Sequence, residues 1–411
     1  MNRNINQVGK SKLFVLLIAL FAFSSCSKSD SPIEPEVFNR GSIVSTSSLG
    51  TYSVAFLKTV LTSLNGGQTA NINLTYDVDA YKVVYKTIDW NGNLVNASGV
   101  IFMPRGKNNL SLISLQHGTQ TKRINVGSAN VLNAPDGLIG ASLGYYTVEA
   151  DYLGLGESNL MHPYHYAKSE ADPVIDIIRA GRYYANQNKI ILNGQVFLAG
   201  YSEGGYVTLA AHKEIQEKYG SEITVTASAP MAGAYDLNLT AKKIIQGKIY
   251  NQPAYLAFFS VAYNSIYNWN KLGDFFNSPY AEMMPSLFDG TKTVDDINKL
   301  LTNDTSLLFK QSFITSYLSG TETMMTAAFA NNSLLNWKPT APIKLFHGDA
   351  DEYVPYENSI KALNSFLALG ANVSLVTIPG GTHVSSALPS ILGAIDWFEQ
   401  IRLKKLIALI N

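Results

Sequence analysis

The feature that most constrains this chain is a Gly-x-Ser-x-Gly turn from Gly200 to Gly204, set between a strand-like run and a helix-like run. Residues 196–199 are a short apolar stretch typical of a central parallel strand, and apolar residues recur at helical spacing over 206–219. A sharp strand-to-helix turn holds a serine in strained dihedrals and projects its hydroxyl clear of the backbone. Strand and helix approach so closely there that both flanking residues must be glycine. The pattern predicts that Ser202 is a nucleophile.

The composition is that of a large globular protein. The chain has 411 residues, of which 46% are hydrophobic and 15% charged, so it can bury a substantial core. Its 31 Lys and Arg residues balance 31 Asp and Glu residues, which leaves no formal net charge. Because nucleic-acid-binding proteins usually carry a marked basic excess, we expect no nucleic-acid partner.

The first 25 residues predict an export signal. Basic residues precede an apolar run over 13–23 that is too short to span a bilayer, and small residues then lead into Cys26, the only cysteine. The Phe-Ser-Ser-Cys segment at 23–26 resembles the lipobox of bacterial lipoproteins. The resemblance implies a signal peptide over 1–25, lipidation of Cys26, and a lipid-anchored protein of the bacterial cell envelope outside the cytoplasm. An ordinary secretory signal with an incidental cysteine is the alternative.

From about residue 80, strand and helix signals alternate, as in a parallel sheet covered by helices on both faces. Residues 81–89 and 94–102 flank an Asn-Gly turn and predict an antiparallel hairpin. Besides the strand before Ser202, further strands are expected at 110–115, 145–151, 224–229, 343–347 and 373–378. Besides the helix after Ser202, further helices are expected at 173–187, 357–369 and 388–406.

The strand signals stop between residues 236 and 339, where Tyr, Phe, Leu and Met are frequent. This stretch predicts several short helices that form a cap inserted into the sheet domain. Such a cap supplies an apolar pocket and excludes water, although most of its aromatic residues should simply pack it on to the sheet. The expected organisation is a tether at 26–45, a core at 46–235 and 340–411, and the cap at 236–339.

A nucleophilic serine needs a base and a group that orients the base. Asp351 lies in the loop after the apolar run 343–346, and His383 follows the strand at 373–378. Because the carboxyl ends of parallel strands meet at one edge of a sheet, both side chains are candidates to reach Ser202. The chain order of the three residues is that of the serine–acid–histidine scheme on such sheets.

These motifs together resemble the α/β-hydrolase superfamily over roughly residues 80–406. They are the Ser202 turn, a His-Gly-x-x-Asp-x-x-Val-Pro block at 347–355 and a Gly-x-x-His pattern that ends at His383. Further features resemble the secretory lipase family, which includes lipase A-type enzymes with a large helical cap. These are an Asp-Tyr-Leu-Gly-Leu-Gly segment at 151–156 with His-Pro-Tyr at 162–164, the Gly-Tyr-Ser-x-Gly-Gly turn, and the insertion before the acid strand. The resemblance implies an α/β-hydrolase fold with a mostly parallel central sheet, helices on both faces and an inserted helical cap.

The resemblance also implies roles for single residues. His383 would take the proton of Ser202 and return it to the departing alcohol, while Asp351 would fix the imidazole tautomer. The fifth-position aspartate of the block favours Asp351 over Asp349, which is then expected to cap a turn.

The resemblance places the oxyanion hole at two backbone N–H groups. One belongs to Glu203, the residue after the nucleophile, and the other to the Gln-His-Gly-Thr turn after the strand at 110–115. In that turn Thr119 is chosen over Gly118.

Other histidines do not predict a metal site. His162 and His165 have the i, i+3 spacing of some metal ligands, but Pro163 argues against a regular helix and no nearby Cys or Glu completes a set. His347, at a strand end, is expected to be a structural histidine. We therefore expect neither a metal nor a cofactor.

The sequence predicts a secreted, lipid-anchored serine hydrolase that cleaves carboxylic esters as a lipase or esterase, through an acyl-enzyme on Ser202. A carbohydrate or feruloyl esterase is an alternative, because tyrosine in the cap suits sugars and aromatic groups. A serine peptidase of the prolyl oligopeptidase type shares the 347–351 motif, but too few residues precede the sheet for its usual β-rich domain. An inactive binding lipoprotein is the alternative that is not an enzyme.

Overall fold

The computed structural model describes residues 39–68 and 72–410, without the side chains of 404–410. The predicted signal peptide at 1–25, the lipidation site Cys26 and the tether as far as residue 38 lie outside the described residues. None of the described helices is long and apolar enough to cross a membrane.

Within the described residues, nine strands form one sheet in the order β1-β2-β3-β5-β4-β6-β7-β8-β9. The pairs β1·β2, β2·β3 and β3·β5 are antiparallel, and the other pairs are parallel. The strands are β1 (Ile43–Tyr52), β2 (Val78–Ile88), β3 (Leu94–Pro104), β4 (Leu110–Gln116), β5 (Tyr146–Ala150), β6 (Leu192–Tyr201), β7 (Ala227–Met231), β8 (Ile343–Gly348) and β9 (Val373–Ile378). The predicted hairpin and the mostly parallel sheet are confirmed.

Helices cover both faces of the sheet. The core helices are α1 (Val54–Leu64), α2 (Pro135–Ser142), α3 (Ala167–Gln187), α4 (Glu203–Lys218), α13 (Glu357–Ala368) and α14 (His383–Ile410). Along β6, Val196 and Leu198 join the cluster built on α3 and α4, whereas Phe197 and Ala199 join the cluster that contains Phe398 of α14. This alternation follows from the two-residue period of a strand, and it explains why β6 is apolar on both sides.

The interval 236–339 contains eight helices and is described throughout. They are α5 (Leu237–Gly247), α6 (Pro253–Ile266), α7 (Leu272–Phe275), α8 (Tyr280–Leu287), α9 (Val294–Asn298), α10 (Thr305–Leu308), α11 (Gln311–Ser319) and α12 (Met324–Asn331). Buried aromatic rings join them to the core: Phe258 of α6 stacks on Tyr164 at 4.6 Å, and Phe259 lies 4.7 Å from the His165 ring. We call this interval the cap.

The fold begins before residue 46, where the sequence places the start of the core. Strand β1 starts at Ile43, and the Arg40 guanidinium lies 2.7 Å from the carboxylate of Asp172 and 3.0 Å from that of Asp176. Both carboxylates are fully buried, so they need a cation. The end of the tether, residues 40–45, is therefore part of the folded domain.

Candidate active site

Ser202 lies at the junction of β6 and α4 with φ 63° and ψ −122°, the strained conformation that the turn motif predicts. The two glycines are needed for the predicted reason. A Cβ on Gly200 would lie 2.6 Å from the carbonyl oxygen of Gln116, and one on Gly204 would overlap the same oxygen. No side chain therefore fits between β6, α4 and the end of β4. Ser202, at the top of the turn, is half-buried.

The structure brings the three predicted residues together. The Oγ of Ser202 lies 2.8 Å from Nε2 of His383, and Nδ1 of His383 lies 2.6 Å from Oδ2 of Asp351. A carboxylate next to Nδ1 holds the proton on that nitrogen, so Nε2 is left to accept the serine proton. The arrangement can generate an alkoxide at Ser202.

Four hydrogen bonds hold Asp351 in its ionised form against the effect of burial. Its Oδ1 accepts from the N–H groups of Tyr353 and Val354, and its Oδ2 faces both His383 and Nε2 of His347, the latter at 3.1 Å. Burial alone would raise the pKa of Asp351, but the hydrogen bonds and charges of His347 and His383 outweigh it and lower the pKa below its usual value. Sequence reasoning treated His347 as structural and missed this contact, although the i, i+4 spacing to Asp351 was visible.

The backbone of His383 is held at both ends. Its N–H donates to the Glu352 carboxylate at 3.0 Å, and its carbonyl accepts from the hydroxyl of Tyr201 at 2.6 Å. Asp349 does not approach the histidine, since its carboxylate accepts from the N–H of Gly380 at 2.6 Å and ties together the loops after β8 and β9. The geometry therefore favours Asp351 as the partner of His383.

The turn after β4 lies against the serine. A Cβ built on Gly118 would lie 3.9 Å from the Cβ of Ser202. The hydroxyl of Thr119 is 3.0 Å from that of Tyr164, and the Tyr152 hydroxyl donates to the carbonyl of His117 at 3.0 Å. Among the hydrogen bonds of the described residues, the N–H groups of Glu203, Gly118 and Thr119 have no acceptor, so all three are free to bind an oxyanion.

A buried cluster that sequence reasoning missed lies beside the serine turn. Nε2 of His162 is 2.6 Å from the Glu203 carboxylate and 3.9 Å from that of Glu170, while Nδ1 of His162 is 2.8 Å from the carbonyl of Leu153. The side chains of both glutamates are fully buried, and each leaves its Oε2 without a hydrogen-bond partner among the described residues. The Glu203 side chain therefore has a structural partner, which its sequence neighbours could not reveal.

The two glutamates of this cluster differ in their protonation state. Burial acts to raise the pKa of Glu203, but the charge and hydrogen bond of His162 outweigh it, so the pKa is lowered and Glu203 is ionised. Burial and the negative charge of Glu203 raise the pKa of Glu170 well above its usual range, which keeps Glu170 protonated.

The same three side chains are the one group of potential metal ligands found in the described part of the chain. Their ligand atoms lie within 4.8 Å of one another, so Glu170 and Glu203 supply the carboxylates that sequence reasoning did not find near His162. A cation could enter only if the 2.6 Å contact between His162 and Glu203 opened. We assign the cluster to hydrogen bonding.

A cavity of about 470 Å³ lies between the core loops and the cap. The rings of Phe258 and Phe288 and the side chain of Met161 form part of its wall. Polar side chains also line it, among them Arg123, Asn159, Asn264, Asn268, Asn270 and Asp289. This mixed lining differs from the apolar pocket that the aromatic content of the cap predicts.

The family model for secretory lipases matches residues 129–405. No curated protein matches the chain significantly.

Solved structures resemble the chain over nearly its whole length. A putative hydrolase from Legionella pneumophila is 31% identical with a TM-score of 0.83, and the match covers 87% of this chain and 98% of that one. The rice cell wall degrading esterase LipA from Xanthomonas oryzae is 28% identical with a TM-score of 0.80, over 90% and 99% of the two chains. Lipase A from Candida antarctica, in its closed state, is 16% identical with a TM-score of 0.65 and shares the fold over 87% and 83%. The predicted α/β-hydrolase fold is confirmed.

Proposed function

We propose that this chain, which belongs to the secretory lipase family and is an ester hydrolase of the lipase and esterase type, works through an acyl-enzyme on Ser202. The observation that carries the proposal is the chain of short contacts from Ser202 through His383 to Asp351, at 2.8 and 2.6 Å. No other described serine combines a strained turn with such a relay.

In the first half-reaction, Oγ of Ser202 attacks the ester carbonyl carbon while Nε2 of His383 takes the hydroxyl proton. The carbonyl oxygen becomes an oxyanion, and Asp351 stabilises the imidazolium. His383 then protonates the oxygen of the departing alcohol as its bond to carbon breaks. In the second half-reaction His383 takes a proton from a water, whose oxygen attacks the acyl carbon. The bond from that carbon to Oγ of Ser202 then breaks, His383 returns the proton to Oγ, and the carboxylic acid leaves.

The free N–H of Glu203 supports its assignment to the oxyanion hole, and of the two free N–H groups in the turn after β4, Gly118 and Thr119, we assign Thr119 as the second donor. Loss of one such donor usually lowers kcat by about 100 to 1,000-fold. We expect a loss of this size in Thr119→Pro, which removes the N–H, measured with p-nitrophenyl acetate. An unchanged kcat would move the assignment to Gly118.

Labelling by a fluorophosphonate probe tests the nucleophile. We expect the purified protein to be labelled and the Ser202→Ala variant to be unlabelled, with unchanged circular dichroism. An unlabelled wild-type protein would favour the inactive binding lipoprotein. Hydrolysis of a chromogenic proline amide without hydrolysis of any ester would favour a peptidase.

A carbohydrate ester is the second candidate substrate. The cap cavity carries planar amide groups beside phenyl rings, a combination that can hydrogen-bond to hydroxyls and pack against a sugar ring. A relative with similar structure is described as a cell wall degrading esterase. A preference for acetylated xylan or methyl ferulate over simple p-nitrophenyl esters would support this candidate, and equal rates would oppose it.

We also infer that the enzyme is lipid-anchored in the bacterial cell envelope through Cys26. The support is the residue pattern around the cysteine, together with the family's description as secretory. Labelling with radioactive palmitate in a bacterial host is expected for the natural chain and not for Cys26→Ser. Equal labelling of both chains would contradict the anchor.

A further inference from the structure

We propose that a second cavity, between α14 and the turn after β4, binds the acyl chain of the ester. The cavity has a volume of about 300 Å³. The inference rests on the proposed function of Ser202 and adds the place where the acid half of the substrate lies.

The cavity lies next to the serine turn, although Ser202, Asp351 and His383 are not among its described lining residues. Gly118 and Tyr201 form its wall, and these residues flank Ser202 in space and in sequence. Its rim includes Val384, the residue after His383, and the Val384 side chain is 69% exposed. A chain attached to the carbonyl carbon at Ser202 can therefore enter the cavity without crossing the cap.

The lining is chiefly hydrocarbon. Successive turns of α14 contribute Ala387, Leu388 and Ile391, and α2 contributes Ile139. Burying a methylene group stabilises a complex by about 0.8 kcal/mol, so such a wall favours an alkyl chain over a polar group. Asp136 also lines the cavity, and burial raises the pKa of its carboxyl.

The two cavities differ in polarity, and the proposal assigns one half of the ester to each of them. The cap cavity carries Arg123, Asp289 and several amides, which suit the hydroxyls of a polyol or sugar alcohol. The described lining of the α14 cavity has no lysine or arginine, and its polar side chains, Gln116, His117, Gln120, Asn133 and Asp136, lie among a larger number of apolar ones. An ester of a fatty acid with a polar alcohol therefore fits best with its acyl chain against α14.

The volume of the α14 cavity limits the length of the acyl chain that it can hold. A water molecule occupies about 30 Å³ in the liquid, so the cavity holds about ten groups of that size. We expect kcat/KM for p-nitrophenyl esters to rise by up to about fourfold per methylene until the chain has roughly eight to ten carbons.

Ala387→Phe tests the assignment by filling the cavity. We expect kcat/KM for the acetate ester to stay within about threefold of wild type, while the ratio of octanoate to acetate falls at least about tenfold. Ser265→Phe, which adds the same ring at the cap cavity, is the matched control and should leave that ratio unchanged. If Ala387→Phe does not fold, Val384→Trp at the exposed rim makes the same test.

Three outcomes would overturn the inference or its basis. An unchanged octanoate ratio in a folded, acetate-active Ala387→Phe variant removes the α14 cavity as a chain site and leaves the hydrolase assignment intact. A loss confined to octyl acetate, in a parallel series of alkyl acetates, would place the alcohol in the cavity instead of the acyl chain. Absence of acetate hydrolysis by the wild-type enzyme would remove the proposed function itself.

Discussion

Two histidine–carboxylate pairs flank the serine turn, and they are built with opposite nitrogens. His383 contacts Asp351 through Nδ1 and points Nε2 at Ser202, whereas His162 contacts Glu203 through Nε2 and points Nδ1 at the carbonyl of Leu153. The nitrogen-to-oxygen distance in both pairs is 2.6 Å, and all four side chains are at least nine-tenths buried.

The difference shows that a short imidazole–carboxylate contact does not by itself make a catalytic base. What separates the pairs is the group at the second nitrogen: a hydroxyl can be deprotonated, and a carbonyl can only accept a hydrogen bond. The His383 pair should therefore control turnover and the His162 pair should control stability.

The largest expected effect separates the pairs by kinetics. In His383→Ala we expect kcat to fall by up to about a million-fold, because no base remains for Ser202. The free energy of unfolding should change by less than about 1 kcal/mol, since Asp351 keeps His347 and two backbone donors. Steady-state kinetics with p-nitrophenyl acetate and urea unfolding measure the two quantities. A kcat within tenfold of wild type would refute the assignment of the base.

The second prediction concerns the other pair. In His162→Ala the Glu203 carboxylate stays buried without its partner, so we expect a loss of about 3–5 kcal/mol in the free energy of unfolding. The folded fraction should keep at least about a tenth of wild-type kcat, because the relay at Ser202 is intact.

Combining His162→Ala with Glu203→Gln is the control for that prediction. The neutral amide needs no cation, so the double variant should recover part of the lost stability. A single variant as stable as wild type but inactive would show that both pairs serve catalysis.

The smallest expected effect is a pH dependence of stability. The pKa of Glu170 is raised in the folded state, so its stabilising contribution is complete below the unfolded pKa and is lost as the pH rises toward the folded value. Between pH 6 and 7 the free energy of unfolding should fall by at most about 1.4 kcal/mol from this group. In Glu170→Gln, which stays neutral, this loss should vanish while kcat at neutral pH is unchanged. Parallel urea curves of both proteins across the pH range would contradict a protonated Glu170.

Local patterns were sufficient for much of the fold. Strands β8 and β9 and the hairpin of β2 and β3 follow from short apolar runs and an Asn-Gly turn, and the structure places them within a few residues of the predicted ends. Strand β1 was missed because Ile43–Tyr52 is polar and mostly exposed at the sheet edge, where pairing with β2 alone gives no apolar period.

Distant pairings in the site could be predicted only where a motif marks both partners. Ser202 and His383 are 181 positions apart, yet each lies at the carboxyl end of a parallel strand, so the sheet itself aligns them. His162 and Glu203 are only 41 positions apart, but the loop that carries His162 has no regular element from which its direction could be read. The available signal was an acidic residue in the buried first turn of α4 with no cation near it in sequence.

The backbone of Ser202 has a consequence for the history of this protein. A non-glycine residue at φ 63° costs on the order of 1–3 kcal/mol, which a glycine at the same position would not incur. Ser202→Gly should thus yield an inactive protein whose melting temperature is higher than that of the wild-type enzyme. Selection for stability and selection for turnover therefore oppose each other at this position. In a descendant that no longer needs the activity, we expect the serine to be replaced early.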